Sequence, residues 1–170
     1  MSEPGGDRPD EAGDELVGVR LLEVPVALWA RSAEHGDELM REFTLVAAAQ
    51  QAGSEHEVPA RLVSLVEELT ASYGAFSAGP EERLAKAAAD GLDSVDLWYE
   101  IPRAVGPAAQ HLGELLDQAD EYCRSGRHLL TLATPPDQCA LRWWYLGQFI
   151  DQIAGGPPVP WPQWRRDTAS

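Results

Sequence analysis

Two short patterns place metal-ligating residue types at helical spacing. His35 and Glu38 stand three residues apart, as do His111 and Glu114, which sets both side chains of each pair on one face of a helix. If the two helices face each other, two imidazoles and two carboxylates converge. That ligand set suits zinc, iron or manganese and would support metal-assisted chemistry. Glu42 adds a carboxylate on the next turn, but its counterpart is Gln118, so a symmetric cage is incomplete. The simpler alternative is that each histidine pairs with its own glutamate on a partly solvated face.

Other chemistry is poorly served. Cys123 has His111 and His128 as nominal bases, yet it lies in DQADEYCRSGR, where acidic residues precede it and only Arg124 and Arg127 follow. A catalytic thiol needs an electropositive setting. The sequence contains no Asn, no GxxxxGK[ST], no GxGxxG, no GxSxG, no HExxH and no CxxC, so the commonest nucleotide, hydrolase and zinc signatures are missing. No cofactor is called for beyond the transition metal that the histidine pairs would take.

Aromatic residues concentrate near the C-terminus: Trp143, Trp144, Tyr145, Phe149, Trp161 and Trp164. Trp143 and Trp144 point about 100° apart on a helix, so burying both requires cover over a broad arc. The segment PPVPWPQW can supply that cover by folding back. Alternatively Trp143, Trp144, Trp161 and Trp164 form an aromatic surface for a partner protein, since tryptophan anchors are common at interfaces.

The elements that must position these residues follow from the pattern of apolar positions. LVGVRLLEV (16–24) and VDLWYEI (95–101) read as strands, each stopped by a proline, Pro25 and Pro102. Helix one covers about 26–51. Helix two opens at Pro59 and breaks at Gly79-Pro80, where a short third helix, PEERLAKAAAD, begins. A fourth helix spans about 104–124, HLLTLA forms a short third strand, and Thr134-Pro-Pro-Asp137 has the spacing of a capping box for helix five, about 136–153. Residues 1–15 form a disordered acidic arm, and 157–170, rich in Pro and Trp, form an extended tail.

The chain also matches itself. Glu23-Val24-Pro25 falls on Glu100-Ile101-Pro102, Ala33-Glu34-His35 on Ala109-Gln110-His111, and Glu38-Leu39-Met40 on Glu114-Leu115-Leu116. Self-similarity of this kind is a fold signal. The expected fold is α+β and helix-dominated, a single domain (16–156) of two pseudo-repeated β-α-α halves, 16–92 and 93–156, around a small sheet. The free edges of two strands invite pairing with a second copy, so a homodimer is expected.

Charge narrows the partners. The chain carries 13 Lys+Arg against 28 Asp+Glu, a net charge of −15, which repels nucleic acid and anionic membrane surfaces. No apolar run is long enough to span a bilayer, and two cysteines fit a reducing compartment. The expected location is cytoplasmic.

The segments LLEVPVALWARSAEHGDELMREF and LLTLATPP…RWWYLGQFIDQI give the chain from Val19 to Trp161 a resemblance to small, poorly characterised regulatory or accessory proteins of high-GC bacteria. These sit beside partner-switching components, meaning anti-sigma kinases, their STAS-domain antagonists and phosphatases. The resemblance implies a cytoplasmic regulatory role through protein contacts and transfers no functional residues. Two main functions are therefore carried forward, a non-enzymatic interaction protein in bacterial signalling and a metal-binding or metal-dependent protein using the duplicated His-x-x-Glu helices. A third is a pocket for a small ligand between the halves.

Overall fold

Branched apolar residues alternate with polar ones in the two extended segments, and they pair with each other. A computed structural model describes residues 15–49, 57–125 and 133–168. Its elements are β1 (Leu16–Pro25), α1 (Val26–Ala49), α2 (Glu57–Ala89), β2 (Ser94–Pro102), α3 (Val105–Arg124), α4 (Pro136–Ile153) and α5 (Trp161–Thr168). The fold is α+β and helix-dominated, with one two-stranded antiparallel sheet among the described residues. No helix among them is long and apolar enough to cross a membrane.

The strand register is symmetric under exchange of the strands. Arg20 faces Trp98 at the centre, Val19↔Tyr99 mirrors Leu21↔Leu97, and Val17↔Ile101 mirrors Val24↔Val95. One extra residue in β1 is taken up by a bulge between Leu21 and Val24. Glu23 there adopts φ 54°, and its N–H donates to Asp96 Oδ1 at 2.8 Å. The helices after the strands differ in length: α1 and α2 have 24 and 33 residues, α3 and α4 have 20 and 18.

The alternation of β1 and β2 sends Val19, Leu21, Val24, Leu97, Tyr99 and Ile101 into the core. There they meet Leu141, Trp144 and Phe149 of α4. A second cluster joins Leu39 and Phe43 of α1, Leu62 of α2, and Leu115 and Ala119 of α3. Partly buried Leu112 packs against both clusters. On the solvent side of the sheet, Trp98 lies over Gly18, where a Cβ would come within 3.0 Å of the indole. The Arg20 guanidinium sits 5.7 Å from that ring.

Three expectations are corrected. α2 does not break at Gly79-Pro80 but runs on as one helix through Pro80. A proline inside a helix costs roughly 3 kcal/mol. Pro80, Leu84 and Ala87 are buried where α2 packs on β2, and that burial offsets the cost. The tail is not extended throughout, because α5 occupies Trp161–Thr168. Pro162 falls in its first turn, where a missing N–H leaves nothing unpaired, and the Trp164 N–H closes on the Pro160 carbonyl at 3.0 Å. Trp161 and Trp164 lie against the core, the fold-back expected of PPVPWPQW.

The capping box does not form. The N-cap of α4 is Pro135 with no side-chain cap, and the Thr134 hydroxyl donates to Asp120 Oδ1 at 2.6 Å instead. The expected strand 128–133 and the acidic arm fall almost wholly outside the described residues. Of the arm, Glu15 is described, and its carboxylate meets Arg103 at 2.7 Å.

Candidate functional site

The duplicated histidine pairs are not gathered into one site. Among the described residues, no three His, Cys, Asp or Glu side chains come together as metal ligands. Glu38, His111 and Glu114 are exposed, and Glu114 accepts a hydrogen bond from Gln110 at 3.2 Å. The expected metal centre of His35, Glu38, His111 and Glu114 is therefore corrected. Equal spacing on two helices aligns each pair with its own helix but does not turn those faces toward each other.

The four candidate tryptophans divide as packing demands. Trp144 is fully buried, its ring edge-on to Trp161 at 5.6 Å and its Nε1–H donating to the Val159 carbonyl at 2.8 Å. Trp164 stacks on Trp161 at 5.8 Å. The segment after α4 is further tied by the Val159 N–H donating to Gln148 Oε1 at 2.8 Å. Gln152 reaches β1 and pairs with both backbone groups of Arg20, at 2.9 and 2.8 Å. Trp144, Trp161 and Trp164 are thus a clamp that closes the C-terminal segment on α4. Trp143 alone faces outward, 53% exposed, with its Nε1–H donating to Asp117 Oδ1 at 3.2 Å.

His35 belongs to a different constellation. α1, α3 and α4 border a cavity of about 270 Å³ that opens to solvent. Its walls are apolar: Trp29, Ala33 and Leu39 from α1, Leu112 and Leu116 from α3, Leu141, Tyr145 and Leu146 from α4. Trp29 and Tyr145 meet edge-to-face at 4.9 Å. Besides Ser32 and Thr134, whose hydroxyls donate to the Leu28 carbonyl and to Asp120 Oδ1, three more polar side chains line the same space, His35 from α1, and Gln138 and Arg142 one turn apart on α4. Each presents a buried atom without a hydrogen-bond partner: His35 Nε2, Gln138 Oε1 and Arg142 Nε. These are the only such side-chain atoms among the described residues. Leaving a buried polar atom unpaired costs about 1–3 kcal/mol, so three residues carrying such atoms around one cavity mark it as the candidate site.

A buried network holds Arg142 in place. Asp120, 2% exposed, accepts from the Thr134 N–H at 2.9 Å and the Thr134 hydroxyl at 2.6 Å. It also accepts from the Arg142 guanidinium at 2.7 Å. Burial would raise the Asp120 carboxyl, but the bonds from Thr134 and Arg142 outweigh it and hold the group below the ordinary aspartate value. The same guanidinium nitrogen reaches Asp117 at 2.7 Å, so two carboxylates balance one cation.

Gly36 completes the site. It lies on the cavity wall in the interior of α1, and a Cβ there would meet nothing within 4 Å. Glycine inside a helix costs roughly 1 kcal/mol relative to alanine, and no steric need on the protein's side accounts for it.

Neither thiol is activated. Burial, with the charges of Asp120 and Glu42, pushes the Cys123 thiol up to about 11, and burial raises Cys139 as well. Beyond Leu112, Tyr145 and Leu146 lies a second, smaller cavity of about 150 Å³, walled by Phe76, Tyr99 and Phe149 among others.

Sequence reasoning missed Gln138, Arg142, Asp120 and Gly36. Their signal was present as Gln138 and Arg142 one turn apart among the apolar residues of α4, Asp120 on the face of α3 that carries Leu116 and Cys123, and a glycine inside α1. Comparison with protein-family models, curated proteins and solved structures returned no match.

Proposed function

We propose that this protein is a non-enzymatic regulatory module that binds a small molecule, apolar over most of its body, in the cavity between α1, α3 and α4. The observation that carries the reading is a largely apolar cavity lined by His35, Gln138 and Arg142, each of which holds a buried polar side-chain atom without a hydrogen-bond partner. Binding sites of small molecules have this composition, a hydrophobic lining with a few orienting polar groups. The absence of a lowered thiol value at Cys123 or Cys139 agrees with binding rather than nucleophilic chemistry.

The test is a titration of isotope-labelled protein with indole, followed by amide chemical shifts. Saturable shifts confined to residues 29–39, 112–116 and 138–146 are expected. Gly36→Leu, which fills the space with a side chain the helix accepts, abolishes them. Shifts that are absent up to the solubility of indole, or unchanged in Gly36→Leu, contradict the reading.

A second reading concerns the partner. Trp143 is the exposed tryptophan of the four, and it shares Asp117 Oδ1 with the Arg142 guanidinium at the cavity wall. A contact at Trp143 is thereby linked to the state of the cavity. We place that partner among the bacterial partner-switching components implied by the resemblance of the two segments quoted above. Trp143→Ala should weaken capture of such a component in a pairwise binding assay while leaving indole binding intact.

A further inference from the structure

The two cavities follow one another along the helix pair α3 and α4. We infer that the ligand is an elongated, unbranched alkyl or acyl chain that lies along the seam between these helices and runs from the larger cavity into the smaller, rather than a compact molecule held in the larger one alone. This rests on the small-molecule reading above and names the ligand class.

The helices run antiparallel, with Gly106 beside Ile153 at one end and Asp117 bonded to Arg142 toward the other. Along α4 the cavity lining steps from Gln138 through Leu141 and Tyr145 to Phe149, and along α3 from Leu116 through Leu112 and Ala109 to Val105. These positions recur every three or four residues, so each helix contributes one continuous stripe. Each stripe covers eleven residue steps, roughly 16 Å, the reach of an extended chain of about a dozen carbons. The larger cavity takes one end of both stripes and the smaller takes the other, and Leu112, Tyr145 and Leu146 line both. At this waist α3 carries Gly113, and a Cβ there would stand 3.4 Å from Leu146 Cδ1. Leucine side chains change rotamer, and a methylene chain needs the smallest displacement to pass them. Polarity follows the same axis. Gln138 and Arg142 lie at the far end of the larger cavity, whereas none of the residues lining the smaller one is charged, and its Ser77 hydroxyl already donates to the Gly74 carbonyl at 2.9 Å. A compact ligand would leave that smaller cavity to water, which finds few partners on such a lining. A hydrocarbon end fills it.

The probes are 1-hexanol and 1-decanol, titrated into protein with isotope-labelled methyl groups. The methyls of Leu116 and Leu141 report on the larger cavity, and those of Ile101 and Val105 on the smaller. Both alcohols should move the first pair. Decanol alone should also move the second, and it should bind about fifty-fold or more tightly than hexanol, since each buried methylene is worth about four-fold. Ala108→Leu, which fills the smaller cavity from α3, should bring decanol down to the affinity of hexanol and leave hexanol binding unchanged. Decanol that leaves Ile101 and Val105 unmoved, or that binds Ala108→Leu as tightly as the wild type, overturns the inference and leaves the larger cavity standing as a ligand site. If neither alcohol moves any of the four residues while indole binds, the chain-shaped ligand is overturned and the small-molecule reading survives. If indole fails as well, both fall.

Discussion

Arg142 and Asp120 form a buried ion pair at 2.7 Å in which the guanidinium spends one nitrogen on two carboxylates, Asp117 and Asp120, and leaves its Nε buried without a partner. Removing Asp120 leaves that cation without its buried partner, which for such pairs costs about 3–5 kcal/mol. Asp117 still reaches Arg142, so Asp120→Ala should lie near the lower end, about 3 kcal/mol by urea denaturation. Asp120→Asn keeps a Thr134 acceptor and should lose less.

The same carboxylate gives a pH dependence of stability. Its folded value lies below that of an ordinary aspartate near 4. As pH falls through about 4, the unfolded chain takes up a proton that the folded chain still refuses, so stability drops. The contribution is whole above that unfolded value and is lost progressively down to the folded one. Unfolding free energies measured from neutral pH to acid should show a shallower acid limb in Asp120→Asn than in the wild type.

Gly36 offers a gain rather than a loss. With nothing within 4 Å of its would-be Cβ, Gly36→Ala should raise stability by about 0.5–1 kcal/mol through helix propensity alone. A thermal midpoint below that of the wild type would show that the wall is closed where the structure leaves it open.

The C-terminal clamp is tested by truncation. Deleting everything after Gly156 removes the acceptor of the Trp144 indole N–H and the ring of Trp161 beside it. Tryptophan emission should shift to longer wavelength as Trp144 meets water, with a loss on the order of 2 kcal/mol from the hydrogen bond and apolar cover together. Trp143→Phe, at an exposed site, should change stability little.

Much of the fold was legible because local pattern and tertiary demand agree. The strand alternation, Pro25, Pro102 and the apolar faces of α1, α3 and α4 all answer to rules that act within a few residues. The Gly79-Pro80 break failed because packing of Leu84 and Ala87 on the sheet overrides a local penalty. The Thr134 cap failed because Asp120, 14 residues away in sequence, is a better acceptor partner. The site was not legible for a related reason. His35 was singled out with Glu38, on its own helix, but its cavity partners Gln138 and Arg142 come from a helix about a hundred residues later. Their rotation toward His35 is fixed by how α1, α3 and α4 pack, which helical spacing within each segment does not encode.

The central claim, that the cavity holds a small molecule, is tested most directly by native mass spectrometry of the wild-type protein and Gly36→Leu after incubation with a small-molecule extract of cells. The account predicts a discrete non-covalent mass increment on the wild type that Gly36→Leu loses while remaining folded. Identical spectra for the two proteins, with or without an increment, would contradict it.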